Sequence, residues 1–237
     1  MRRAAASRPT PLALWRAVEA QHVVSTMVLV DTRDEQQLLE ELIEGAKPAL
    51  APGTQRLHYL LATPFRYRSP YGSRFRTSND PGVLYGAEEQ RTACAELGYW
   101  RWRFLHDSPA LDRLDTAAQT VFQLLVEGRT IDLRGAAYQG RRAEWTAPAD
   151  YTSCQQLGQE AREAGVDLIR YESVRDPEHG GCGAVLNPAA LSHPAPVAQE
   201  TWYLLVTRER ARWWRSDWRM GAAAWDFEIA ALGARPA

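Results

Sequence analysis

The stretch Gly72-Ser73-Arg74-Phe75-Arg76, followed by Pro81-Gly82-Val83-Leu84-Tyr85 and the run from Glu88 to Glu96, decides how the chain is read. Pro81-Gly82 is a turn signal. The apolar residues 83–87 after it predict a short strand. Residues 89–104 then form a helix-favouring run in which Ala93, Leu97, Trp100 and Phe104 recur at i, i+4, i+7 and i+11. That spacing predicts a buried helical stripe with Glu96 on its shoulder, at the wall of a cleft. Arg74, Tyr85 and Glu96 stand at equal steps of eleven residues, one each from loop, strand and helix.

Outward from this stretch, the N-terminal side reads mainly as helix. Leu12, Trp15 and Val18 have helical spacing, and residues 34–46 carry Leu38, Leu39, Leu42 and Ile43 on one side before Lys47-Pro48. Residues 23–30 admit both strand and helix. Leu57, Tyr59 and Leu61 alternate with their neighbours and predict a strand ending at Pro64, with residues 65–68 extended beyond it. On the C-terminal side, residues 121–126 and 130–133 read as strands joined at Glu127-Gly128-Arg129. A helix is expected over 151–164, capped by Thr152 or Ser153 and ended by Gly165. A strand over 166–174 turns at Gly180-Gly181 into 184–186, and residues 201–207 and 211–218 form a last hairpin. Helices early and strands later, with one helix among them, predict an α+β fold with a largely antiparallel sheet.

Composition narrows the function. At 237 residues and formal net charge −1, the chain is long enough for a large core and has no global basic field for nucleic acid. The three cysteines, Cys94, Cys154 and Cys182, form no CxxC pair, and the five histidines form no HExxH pair, so neither a disulfide framework nor a metal centre is expected. After Met1-Arg2-Arg3, Ala4-Ala5-Ala6 leads into Ser7-Arg8-Pro9 with no apolar h-region of an export signal, and Arg16, Glu19 and Asp31 interrupt the best apolar stretch. A soluble cytoplasmic protein is the expectation. Gly180, Gly181 and Gly183 lack the spacing of a Rossmann turn.

A guanidinium, a phenol and a carboxylate together suit a ligand with a phosphate part, a flat base and a centre that becomes positive during reaction. NAD is such a ligand. Arg66 and Arg74 offer planar forks to pyrophosphate. Tyr85 offers a ring face and a hydroxyl. Glu96 would stabilise an oxocarbenium-like ribose, and Ser173 would position an amide or an acceptor phosphate.

The segment from about residue 60 to 218 resembles the RES family. The resemblance rests on Phe65-Arg66-Tyr67, Gly72-Ser73-Arg74-Phe75, Leu84-Tyr85-Gly86-Ala87 and Thr92-Ala93-Cys94-Ala95-Glu96. It continues through Ile169-Arg170-Tyr171-Glu172-Ser173-Val174-Arg175. It implies an ADP-ribosyltransferase-like fold and consumption of NAD by phosphorolysis or hydrolysis. It also implies a toxin held in check by an antitoxin that covers the site. Arg66, Arg74, Tyr85, Glu96 and Ser173 are then the site residues. NAD is substrate rather than bound cofactor, and inorganic phosphate is a co-substrate if the reaction is phosphorolysis.

Residues 1–55 match this pattern poorly. They are expected to form a helical extension on a catalytic unit of 56–237, with the edge of the 34–46 helix available to the core or to a second copy. Two other readings stand beside NAD cleavage. One is ADP-ribosyl transfer to a protein. The other is a non-catalytic nucleotide- or nucleic-acid-binding module built on Arg208, Arg210, Arg212, Arg215 and Arg219. The tryptophans are expected as core and sheet packing rather than a stacking surface.

Overall fold

Trp15 of strand β1 (Leu12–Glu19) lies opposite Ala87 of β2 (Leu84–Ala87) on one side and Gln123 of β3 (Arg113–Val126) on the other, which puts β1 at the middle of the sheet. The computed structural model describes residues 11–20, 29–67, 69–217 and 221–232. Among these, β4 (Thr130–Asp132), β5 (Leu168–Glu172), β6 (Gly181–Val185), β7 (Ala198–Thr207), β8 (Arg210–Asp217) and β9 (Gly221–Glu228) complete one nine-stranded sheet of order β4-β5-β6-β2-β1-β3-β7-β8-β9. Neighbouring strands run antiparallel except β4 and β5. The α+β expectation holds.

The helix expected around Leu12, Trp15 and Val18 is therefore a strand, and residues 12–19 belong to the sheet rather than to a helical extension. Leu12, Leu14 and Val18 pack into one apolar cluster, while Trp15 and Ala17 join another. A strand covered on both faces carries apolar residues in both registers, so the period of two is hidden. The undecided residues 23–30 lie almost wholly outside those described.

Helix α1 (Arg33–Ala46) begins as expected. Thr32 and Glu35 form a reciprocal capping box. It buries no residue, however, and Leu38 and Leu42 are 57% and 63% exposed. Helix α2 (Tyr59–Arg66) replaces the strand expected to end at Pro64. Leu60, Leu61 and Phe65 pack with Leu84, Phe122 and Val185, and that tertiary contact overrides the local alternation.

Helix α3 (Gln90–His106) is present as expected but turned. Its packed residues are Cys94, Ala95, Gly98, Tyr99, Trp102 and Leu105, set against Trp202, Ala211 and Trp213. Of the expected stripe only Ala93 is buried; Trp100 and Phe104 are 51% and 56% exposed. The small residues decide this. A Cβ on Gly98 would lie 3.1 Å from Cβ of Ala211, so the helix rests on the sheet through the face with least bulk.

A short α4 (Arg142–Trp145) leads to α5 (Thr152–Glu163). The N-cap of α5 is Tyr151 rather than Thr152 or Ser153, and its side chain makes no capping bond; Asp150, one residue earlier, accepts from the Thr152 amide through Oδ1 at 2.9 Å. Gly165 closes the helix at φ +66°, in the left-handed region. Strands β3 and β4 are both present, but β4 pairs with β5 at one edge of the sheet and is separated from β3 by β5, β6, β2 and β1. The β7–β8 hairpin is as expected, with β9 added beyond it. Its arginines face carboxylates or carbonyls: Arg210 and Arg212 meet Asp226, Arg215 meets Glu200, and Arg208 donates to the Leu111 carbonyl. Arg219 lies outside the described residues. Among the described residues no helix is long and apolar enough to cross a membrane.

Candidate active site

The loop after α2, strand β2 and helix α3 converge with β1 and the 173–180 loop on one cavity of about 270 Å³. Arg74, Tyr85 and Glu96 line it together, as their order along loop, strand and helix suggested.

Tyr85 builds the loop that carries Arg74. Its hydroxyl lies 2.8 Å from the Ser73 hydroxyl and accepts from the Phe75 amide at 3.0 Å. Ser73 and Arg76 close the same loop through paired backbone bonds of 2.7 and 3.2 Å. The amide nitrogen of Gln155, on α5, donates to the Ser73 carbonyl at 3.1 Å. Burial pushes the Tyr85 phenol above its ordinary pKa, so it stays a neutral donor and acceptor.

Arg74 is buried. Its Nη1 donates to the carbonyls of Trp145 and Ala147 at 2.9 and 3.1 Å, and its guanidinium carbon sits 4.7 Å from the centre of the Tyr151 ring. Burial alone would weaken its hold on the proton. The neighbouring Tyr171, Tyr151, Cys154 and Glu96 outweigh that effect, and the group is a permanent cation.

Glu96 stands at the cavity wall, half-buried. Its Oε1 accepts from the Ser173 hydroxyl at 2.6 Å. Burial raises its pKa above the ordinary carboxylate range; the Ser173 hydrogen bond, Arg74 and Arg175 hold it down, and Asp176 adds to the rise. Ser173 is fully buried behind it, and its oxygen also accepts from the amides of Arg175 and Asp176 at 3.2 and 3.0 Å. Asp176 anchors this loop to the first turn of α3. It accepts from Thr92 Oγ1 at 2.6 Å and pairs with Arg91. A Cβ on Gly180 would fall 2.2 Å from that Thr92 oxygen, so the return of the loop past α3 requires glycine.

Arg66 is not part of this site, contrary to expectation. It ends α2, where its Nε donates to the Pro48 carbonyl at 2.6 Å and its Nη1 to Glu44 at 3.1 Å. Two other arginines line the cavity instead. Arg175, almost fully buried, lies 3.6 Å over the Tyr99 ring, with Nη2 donating to the Pro148 carbonyl and reaching the Tyr151 hydroxyl at 3.4 Å. Arg16 donates from Nη1 to the Tyr85 carbonyl at 2.7 Å, while its buried Nε has no hydrogen-bond partner among the described residues. A lone arginine inside the apolar run of β1 was the sequence signal for the second. Arg175 had only its place beside Ser173.

Three guanidinium groups, one hydrogen-bonded carboxylate and several aromatic walls can hold a polyanion and stabilise a developing positive charge. Among the described residues no group of three histidine, cysteine or carboxylate side chains is placed to hold a metal ion. Comparison with known proteins agrees with the resemblance seen in the sequence: the family model of the RES domain matches residues 50–206. No curated protein matches the chain by sequence. Among solved structures, the M.tuberculosis MbcT-MbcA toxin-antitoxin complex is similar at 13% identity. It covers 84% of this chain and 85% of that one, with a TM-score of 0.44.

Proposed function

The chain belongs to the RES domain family, and on that premise we propose that it is an enzyme that cleaves the nicotinamide–ribose bond of NAD. The observation that carries this reading is the Glu96 carboxylate, fixed by Ser173 and facing a cavity shared with Arg74, Arg175 and Arg16. The cavity is near the lower end of ligand pockets, which run to roughly 300–1,000 Å³. It suits the nicotinamide riboside half of the dinucleotide, with the adenosine half lying outward.

In the proposed reaction the pyridinium of NAD takes the electron pair of the C–N bond and leaves as neutral nicotinamide. No acid is needed to assist its departure. The ribose carbon acquires oxocarbenium character, which the Glu96 carboxylate stabilises across a short distance in a water-poor site. The arginines hold the pyrophosphate and so fix the ribose against Glu96. Phosphate attacking that carbon gives ADP-ribose 1″-phosphate; water gives ADP-ribose and releases a proton. Residues 56–237 together with β1 supply the catalytic body. Family membership further supports a toxin role in the cytoplasm, with a protein antitoxin occluding the cavity.

The test is nicotinamide release from NAD by the purified protein, with and without inorganic phosphate. Release in either condition supports the reading, and the product identifies the acceptor. Absence of release in both, from a folded protein, refutes it.

A further inference from the structure

Glu96, Trp100 and Phe104 follow one another at i, i+4 and i+8 along α3. Residues so spaced share a helix face and are set about 6 Å apart along the axis. Glu96 and Trp100 both line the cavity, and Phe104 continues the row beyond it. Of the other indoles on this side of the sheet, Trp102 is 6% exposed and Trp202 and Trp213 are fully buried, while Trp15 and Trp225 are partly buried against the same core and Trp15 lines the cavity from β1. Trp100 is 51% exposed beside the carboxylate. It is nonetheless supported, because the Tyr99 ring meets it nearly edge-on, with centroids 5.2 Å apart. Its flanking cations are engaged elsewhere, Arg101 with Glu19 and Arg103 with Asp107. Beyond Glu96, what the row offers a ligand is aromatic surface without a charge to read.

We infer that Trp100 is a base-stacking platform at the outer end of the cavity, that its ligand is the adenine of the dinucleotide, and that Phe104 extends it. This rests on the NAD reading. The bond to be cleaved must lie at Glu96, among the arginines and the rings of Tyr85, Tyr151 and Tyr171. The second base, separated from it by two riboses and two phosphates, then lies outward along α3. Stacking on an indole uses the π-face that every base has, so the site tolerates changes at the purine edge and discriminates chiefly against ligands with no base there.

The experiment measures nicotinamide release from NAD and from nicotinamide mononucleotide, which lacks the adenosine. Wild type, Trp100→Ala and Trp100→Phe are compared, each checked by thermal melt. The platform predicts that Trp100→Ala lowers the preference for NAD over the mononucleotide, as a ratio of kcat/KM, by roughly five- to a hundredfold. The loss appears in KM, and Trp100→Phe restores most of it. An unchanged ratio, or an equal fall with both substrates, overturns the inference. A wild type that releases no nicotinamide would refute the NAD reading instead. Calorimetry then decides the platform alone: Trp100→Ala must weaken ADP-ribose binding by a similar factor while leaving ribose 5-phosphate unaffected, and equal binding of ADP-ribose to both proteins overturns it.

Discussion

The Ser173 hydroxyl donates to Oε1 of Glu96 across 2.6 Å, joining the start of the 173–180 loop to the middle of α3 over 77 residues of chain. The same oxygen accepts two backbone amides, so its rotor has one satisfactory position and its donated proton is aimed at the carboxylate. In the proposed site Ser173 therefore holds Glu96 rather than receiving a ligand amide. Ser173→Ala leaves two buried amides without an acceptor and should lower stability by about 1–3 kcal/mol. Its kinetic effect should fall on kcat. A denaturation curve and a KM-against-kcat comparison read the two effects separately; a variant impaired only in KM would contradict this role.

The arginines separate cleanly by surroundings. Arg74 is aimed by two carbonyls and a ring, and a lysine there cannot reproduce a planar fork. Arg74→Lys should weaken NAD binding by about 1–3 kcal/mol, the scale of a charged hydrogen bond. Arg66→Ala removes only a contact to Pro48 and Glu44 at the end of α2. It should leave NAD affinity within about twofold, because neither contact is to a residue that lines the cavity and the Glu44 half of the pair is exposed. Titration of NAD against both variants checks the contrast.

Gly158 controls the same loop from behind. A Cβ at this position of α5 would lie 2.5 Å from the Phe75 carbonyl oxygen, a backbone atom that cannot swing aside. Gly158→Ala must push α5 and the 73–76 loop apart, at a cost of about 1–3 kcal/mol typical of overpacking. Because Arg74 travels with the loop, KM for NAD should rise as well. A variant with lowered melting temperature but unchanged KM would show that the loop absorbs the shift without moving Arg74.

How much of this was legible follows from the range over which each feature is determined. The β2–α3 unit is set locally, by Pro81-Gly82 and a long helix-favouring run, and the sequence predicts it with Tyr85 and Glu96 in place. The rotation of α3 is set by what it lies on. Ala95 and Gly98 look like weak core residues, yet their small size is why they face Ala211 and Trp213 while Trp100 faces the cavity. Strand β1 hides its period because both its faces are covered. Strand β9, Gly-Ala-Ala-Ala-Trp-Asp-Phe-Glu, lacks the β-branched residues that mark strands. Arg66 has a convincing separation from Arg74 in sequence, but separation does not reveal that a helix end turns it toward Pro48. Arg16 and Arg175 enter the site only because β1 lies beside β2 and because the β5–β6 loop folds over α3. Those are properties of the sheet order.

Glu96→Gln tests the centre of the proposal. The folded-state pKa of Glu96 lies above the ordinary carboxylate value, with burial the largest cause and the Ser173 hydrogen bond, Arg74 and Arg175 opposing it. The folded protein therefore binds this proton more tightly than the unfolded chain. The stability it contributes is fully present below the unfolded carboxylate pKa and is lost as pH rises through the folded value. Glutamine keeps the acceptor for Ser173 and cannot ionise. The variant should melt no lower than wild type at neutral pH, and any advantage should shrink as pH falls into the carboxylate range. Turnover should move the other way. Wild-type kcat should rise with pH through the raised Glu96 pKa, whereas Glu96→Gln should lack that limb and run about a hundredfold or more slower, as for loss of one transition-state stabiliser. Nicotinamide release and thermal melts across the same pH series measure both. Near-normal turnover in a folded Glu96→Gln protein would remove the carboxylate from the chemistry and leave the three arginines as a binding site only.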